Sequence, residues 1–313
     1  MPSLTDPIRT IASGGRPPAA IEITPEGVLA ASRLNEARKR GAAPAELPAV
    51  YAFAPLPAGA VVLSLNEPNL QAADAVYAAI RAALAEVSPR SRAITLVLPD
   101  TLVRVFVLDF DALPAKAAEA VSVVRFRLRK MVPFEVEDAG VSYQILTQDK
   151  SFCKVLAAVI PGPVLAEYES AVRAAGYEPG AVLSSSLAAL ETASSMEAVL
   201  TANLSAQSLT TCIANGQDLL LYRTLDLPEE PALRASEIRR GIAVATAYYE
   251  DKMGSSPQRL LYSGVLSAVE FAQAVSDMDL SILEWVPRPN GGAMTALPQT
   301  GYAGVAGALA GAR

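Results

Sequence analysis

The chain of 313 residues contains no histidine, two cysteines and a single tryptophan. Without histidine there is no Ser-His-Asp or Cys-His nucleophilic catalysis, no imidazole proton transfer and no histidine-containing zinc site. The two thiols, Cys153 and Cys212, cannot complete a four-thiolate site, and no metal centre is expected. Each lies in an apolar run and reads as a small buried hydrophobe, which fits a reducing compartment. Positive charge is also short: 26 Lys and Arg stand against 32 Asp and Glu, a formal net charge of -6. That balance leaves no cationic excess to neutralise a phosphate backbone, so nucleic acid is not an expected partner. Long hydrophobic runs are missing too, despite a mean hydropathy of +0.29. Val155 to Ile160 stops at Pro161, and the segment 301–312 is broken by glycine, whereas a membrane span needs about 18 to 20 residues. The opening residues 1–20 carry charges and prolines without a continuous apolar core and do not read as a secretory signal. Much of the hydropathy is alanine, so any membrane association is expected to pass through a partner.

What is present is a legible series of periodic segments. Residues 1–19 and 33–48 read as tail and loop, separated by a hairpin over 20–31 turning at Thr24-Pro25-Glu26-Gly27. From Leu70 the apolar positions Ala73, Tyr77, Ile80 and Leu84 follow at helical spacing, and Ile94 to Leu98 is a continuous apolar strand. A strand over 103–108 then leads to a helix opened by Pro114, with Ala117, Val121, Val124, Leu128 and Met131 inward and Pro133 as its stop. Two strands, 141–146 and 154–160, and a helix with Val164, Tyr168 and Val172 inward, ended by Gly176, complete a small α+β module. Three further strands (199–204, 208–213, 219–225) follow, the last two joined at Asn215-Gly216, then a helix through Ile238, Ile242 and Ala245, a strand over 259–262, and a glycine-rich closing helix. Hairpin, helix, strand and closing helix form the half-domain pattern of an α/β, actin-like (ribonuclease H-like) fold. The expected division is a tail 1–19, a first half of 20–101 and 177–198, an inserted α+β subdomain of 102–176, and a second half of 199–313.

The residues Leu96-Val97-Leu98-Pro99-Asp100, Val103 to Asp109, Leu113-Pro114, Phe126 to Lys130, Pro133-Phe134 and Tyr143-Gln144 resemble the type IV pilus assembly family PilM. The resemblance continues through Tyr168-Glu169, Ala175-Gly176-Tyr177, Ile238-Arg239-Arg240 and Tyr248 to Asp251. It implies a cytoplasmic, FtsA-like frame with an inserted subdomain, peripheral at the inner membrane. The partner it implies is the short cytoplasmic tail of a PilN-like bitopic membrane protein, alongside other pilus platform or motor components and a homo-oligomer. The rivals are an active actin-like ATPase and the L-type cytoplasmic component of a type II secretion platform, a family that continues into a transmembrane segment.

An actin-like ATPase holding ATP with Mg needs two glycine loops that let backbone N–H groups approach phosphates, and carboxylates to hold the metal and orient water. Where the resembled family has Ile-Asp-Ile-Gly, this chain has Ile21-Glu22-Ile23-Thr24-Pro25; where it has Asp-Ile-Gly, Asn203-Leu204-Ser205; where it has the adenosine Gly-Gly, Ser263-Gly264. Glu22 is a methylene longer than aspartate, Thr24 adds bulk, Pro25 lacks an N–H, and Asn203 carries no charge. Glu22, Thr24, Asn203, Ser205, Ser263 and Gly264 therefore read as a degenerate nucleotide site, with no catalytic residue expected and bound ATP with Mg the disfavoured alternative to no cofactor. Leu128, Pro133 and Phe134 are the candidate partner contacts, in a groove between the inserted subdomain and the first half. The basic stretch Arg125, Arg127, Arg129 and Lys130 reads as a solvated helix face.

Overall fold

The computed structural model describes residues 16–33, 49–149, 151–193, 197–216, 218–286 and 301–311. Residues 1–15 of the expected tail and 34–48 of the expected loop lie outside them. A first sheet has the order β3-β2-β1-β4-β8, from β1 (Ala19–Thr24), β2 (Gly27–Arg33), β3 (Ala49–Pro55), β4 (Ala93–Leu98) and β8 (Glu178–Ser184). A second has the order β11-β10-β9-β12-β13, from β9 (Ala198–Leu204), β10 (Ser208–Asn215), β11 (Asp218–Asp226), β12 (Arg259–Gly264) and β13 (Ser281–Glu284). In both, a meander of antiparallel strands is extended by two parallel ones, β4 and β8 or β12 and β13. The chain is thus an α/β protein of two halves with one topology. Strands β3, β8 and β13 and a helix over Ala268–Ala274 are additions to the expected set.

The alternation of β1 decides where its neighbours go. Ile21 and Ile23 join Leu96, Leu98 and Val28 beneath α1 (Ala73–Val87), which buries Val76, Ile80, Ala83 and Leu84 on them. Burying four such side chains stabilises the half by roughly 1.5 to 3 kcal/mol for each large one. Ala20 and Glu22 face the other way, where Ala31 and Val97 leave only a shallow surface. The closing helix, Ala303–Ala310, fills it with Val305, Ala308 and Leu309. By packing, this helix belongs to the first half, whereas the expected second half ran through 313.

The strands β5 (Arg104–Phe110), β6 (Gly140–Gln148) and β7 (Cys153–Ile160) form a separate antiparallel sheet, β5-β7-β6, with no ladder to β4 among the described residues. Helix α2 (Ala117–Leu128) covers one face with Ala120, Val124 and Leu128. It ends earlier than Pro133, so the 3.6 period lapses and Met131, expected inward, is exposed. Arg125 is not on the solvated face: its guanidinium donates to the carbonyls of Val136, Glu137 and Ala139 and ties down the following loop. Helix α3 (Gly162–Ala174), expected inside the inserted module, packs instead against α1 and β8, where Val164, Tyr168 and Val172 enter the first half's core. Gly176 ends it at φ +93, with the Tyr177 N–H returning to the Val172 carbonyl.

Short helix α4 (Ser185–Ala189) links β8 to a single 3-10 turn. In the second half, α5 (Pro231–Met253) and α6 (Ala268–Ala274) cover β9, β10 and β12 through Ile238, Ile242, Phe271 and Val275. The closing helix is α7 (Ala303–Ala310), and its glycines serve close approach. A Cβ on Gly307 would overlap the Ala188 carbonyl oxygen in α4, and one on Gly304 would stand 2.6 Å from Glu22 Oε2 and 2.8 Å from Ser185 Oγ. Gly307→Ala should therefore lower the free energy of urea unfolding by about 1 to 3 kcal/mol, as overpacking does. An unchanged denaturation midpoint would mean that α7 does not hold this position.

Candidate functional site: the cleft between the halves

Strands β1, β4, β9 and β12 all end at one cleft, the position where open α/β sheets gather their ligands. The cleft is open to solvent and is lined by Glu22, Thr24, Asn203, Ser205 and Gly264 among others. The structure thus brings together five of the six residues expected there. Ser263 is buried just behind, its hydroxyl against the backbone of Gly301.

The floor is built around Asp100, two residues beyond β4 and 4% exposed. Its Oδ1 accepts from the Ser186 N–H at 2.9 Å and from the Tyr222 hydroxyl at 3.1 Å. Its Oδ2 accepts from the Ser186 hydroxyl and from Asn203 Nδ2 at 3.3 Å. Tyr222 and Asn203 stand on β11 and β9, so this one carboxylate joins both halves. Asn203 Nδ2 also lies within hydrogen-bond reach of Ser185 and Ser186 Oγ, at 3.3 and 3.1 Å. The Tyr222 hydroxyl shares a bond with Ser184 at 3.0 Å, and burial, then the Asp100 charge, pushes its pKa well above the ordinary value.

Glu22 lies beside this network under α7, 7% exposed. Burial pushes its pKa from 4.5 up to about 7; a Ser185 hydrogen bond opposes the shift, and the charges of Asp100 and Glu26 add to it.

The two loops are occupied with their own geometry. After β9, Ser205 N–H donates to the Ser208 carbonyl at 2.8 Å, and the Gln207 and Ser208 N–H groups donate to Ser205 Oγ at 3.1 and 2.9 Å. Arg234 caps the outer side, donating to the carbonyls of Ser205 and Ala206. In the first loop Thr24 Oγ1 donates to the Gly27 carbonyl at 3.2 Å, and a Cβ on Gly27 would overlap the Phe53 ring and the Ala54 carbonyl of β3. That glycine admits a neighbouring strand. Gly264 lies equally close to β9, and the Val265 N–H donates to the Leu204 carbonyl at 2.9 Å. The amides of Ser205, Gln207, Ser208 and Val265 are thus bonded within the fold, and Pro25 has no N–H. Among the described residues no group of three or more Cys, Asp or Glu could hold a metal ion.

Of the expected partner contacts, Leu128 is fully buried in the core of the three-stranded module and presents nothing to a partner. Pro133 is exposed, and Phe134 is half-buried against that core. Cys153 and Cys212 are buried, as expected, and burial raises both thiol pKa values. Asp100, Ser185, Ser186 and Tyr222 were not singled out as site residues from sequence. The signals were an acid directly after Leu98-Pro99 at the end of an apolar strand, and the run Ser184-Ser185-Ser186.

No protein-family model matches this sequence, and no curated protein does. Among solved structures the chain is similar to a PilM-PilN type IV pilus biogenesis complex, at 18% identity and TM-score 0.64 over 93% of this chain and 96% of that one. It is also similar to the cytoplasmic domain of EpsL, an inner-membrane component of the type II secretion system of Vibrio cholerae, at 12% identity and TM-score 0.49 over 88% and 90%. A Bacteroides thetaiotaomicron protein with an actin-like ATPase fold and unknown function matches at 11% identity and TM-score 0.47 over 85% and 90%. The fold is the actin-like one, and the chain is PilM-like in its architecture. No helix among the described residues is long and apolar enough to cross a membrane.

Two substitutions probe the floor. Glu22 holds its proton more tightly folded than unfolded, so its contribution to stability is present below about pH 4.5 and is lost as the pH rises through about 7. Glu22→Gln should remove that slope and raise stability at pH 8 by an amount of order 3 kcal/mol at most, read from urea melts at several pH values. Asn203→Asp removes the donor to Asp100 and sets a second carboxylate beside it. It should cost about 2 to 4 kcal/mol at pH 8 and less at pH 5, and equal losses at both would contradict this account.

Proposed function

We propose that this chain is a PilM-like adaptor of a type IV pilus assembly platform, not a catalyst. It stands at the cytoplasmic face of the inner membrane and binds the N-terminal cytoplasmic tail of a PilN-like bitopic protein in the groove between the inserted module and the first half. The observation that carries this reading is the way Asn203 and Tyr222 of the second half meet Asp100 at the floor of the cleft while amides of the second loop bond to their own turn. Phosphoryl transfer relies on donors and metal-binding carboxylates aimed at the transferring group. Here the two acids are committed otherwise: Asp100 is spent on the joint, and burial pushes the pKa of Glu22 up to about 7. The similarity in fold to a PilM-PilN complex over 93% of the chain supports the choice of partner.

Two measurements test it. With ATP and magnesium the purified protein should release phosphate no faster than a buffer blank, and Asn203→Asp should not restore turnover. A rate near the about 1 to 100 per second of working phosphotransfer enzymes would overturn the reading. In calorimetry, a synthetic PilN-like tail should bind with micromolar affinity that changes little with salt, because the contact is a few apolar side chains worth roughly 1.5 to 3 kcal/mol each before ordering costs. Phe134→Ala should weaken it. No heat at high micromolar protein, or loss of binding in moderate salt alone, would overturn the partner assignment.

A further inference from the structure

Helix α2 turns one face to the three-stranded sheet and the other outward. On and just beyond that outer face stand Val123, Phe126 and Met131, at 36%, 68% and 42% exposure. Phe126 is the most exposed of the large apolar side chains named among the described residues. Three positions apart on a helix are neighbours, so Val123 and Phe126 share one surface row with Arg127 beside it, and Lys130 and Met131 follow in the turn after the helix.

The charges around this row are not balanced. Lys116 is paired with Glu119 at 3.0 Å, Arg129 is paired with Glu137, and Arg125 is held by backbone carbonyls. Arg127 and Lys130 are exposed and stand in none of the ion pairs found among the described residues. Glu135 and Asp138, both exposed in the following loop, are the acids near them in sequence that stand in none of those pairs. A protein of net charge -6 thus presents two uncommitted cations here, beside its most exposed aromatic ring.

We infer that the outer face of α2 docks on an anionic lipid bilayer. An exposed ring and a thioether, flanked by long cationic side chains, match the two layers of a membrane surface. Phe126 and Met131 enter the boundary between headgroups and acyl chains, while Arg127 and Lys130 lie along it and reach the lipid phosphates. Charge complementarity selects the occupant: the face is locally cationic on an acidic protein, and anionic leaflets attract basic side chains by about 1 kcal/mol each. Three apolar residues and two cations give a weak, reversible contact. It requires no second protein, and it orients the molecule wherever a tether raises its concentration at the membrane.

The experiment is co-sedimentation of the full chain with phosphatidylglycerol vesicles and, separately, phosphatidylcholine vesicles. Binding is expected to the first and not the second, falling as salt rises. Arg127→Ala and Lys130→Ala should each reduce the partition coefficient about fivefold, the equivalent of about 1 kcal/mol per basic residue. Phe126→Ser should reduce it at every salt concentration. Phe126→Trp adds a direct reading, because the native Trp285 is buried and gives a constant background. The new indole should shift to the blue on phosphatidylglycerol vesicles. All these side chains are exposed, and unchanged thermal melts establish that the variants fold. No partition to phosphatidylglycerol, equal partition to phosphatidylcholine, binding indifferent to the three losses, or an unshifted indole would each overturn the inference.

Discussion

A carboxylate at 4% exposure must be compensated by hydrogen bonds, and in this fold the compensation for Asp100 comes from three elements that only the finished tertiary structure brings together. Ser186 donates from the start of α4, Tyr222 from β11 and Asn203 from β9. Two of these belong to the second half, so the separation of the halves at the cleft is set by the reach of a hydroxyl and an amide to one acid. Removing any donor leaves a buried charge short of a partner, which costs more than the bond itself contributes. This requirement also changes the meaning of Asn203. Seen as a sequence position, it lacks the charge that a metal-binding aspartate would carry; seen in place, its amide supplies a proton donor where a second aspartate would supply repulsion.

The segments that could be read in the sequence are those whose burial is periodic and local. α1, α3 and α5, the hairpin of β1 and β2, the strand β4 and the pair β10–β11 follow from spacing and turn residues alone. β8 begins Glu178-Pro179-Gly180, which reads as a break, and it becomes a strand because β4 offers it a parallel edge. β3 is rich in alanine and lies close to prolines on both sides, so no alternation marks it, yet β2 pairs with it along its whole length. The site divides in the same way. Glu22, Thr24, Asn203, Ser205 and Gly264 sit at strand ends and could be placed by their pattern. The Asp100 joint spans 86 to 122 residues of sequence, and its members become related only when two halves and a short helix meet.

Small residues supply a second constraint. Ala20, Ala31 and Ala188 form a shallow surface on which α7 lies close enough for Gly304 to touch Glu22 and Ser185. The alanine that raises the hydropathy of the chain is therefore, together with the glycine of α7, a means of stacking backbone on backbone. The same close approach keeps water from Glu22. Its raised pKa follows from the tight seating of α7.

One strand carries the consequences of the cleft to the inserted module. Tyr222 and Asp226 lie four residues apart on β11, on the same side of the strand by its period of two and separated by about 13 Å. Tyr222 bonds to Asp100 at the floor, while Asp226 meets Arg104 of β5 in a two-pronged pair at 3.1 and 3.0 Å. The Asp226 side of that pair is exposed, so it contributes little to stability. Its effect is geometric: together with the apolar packing of Leu219 and Tyr222 alongside Val105, it fixes the module's first strand to the element that also closes the cleft. A ligand that draws the module away from β11 must strain either this pair or the Tyr222 bond. The module and the cleft are coupled through that strand to the extent that such a ligand prefers one position of the module over another.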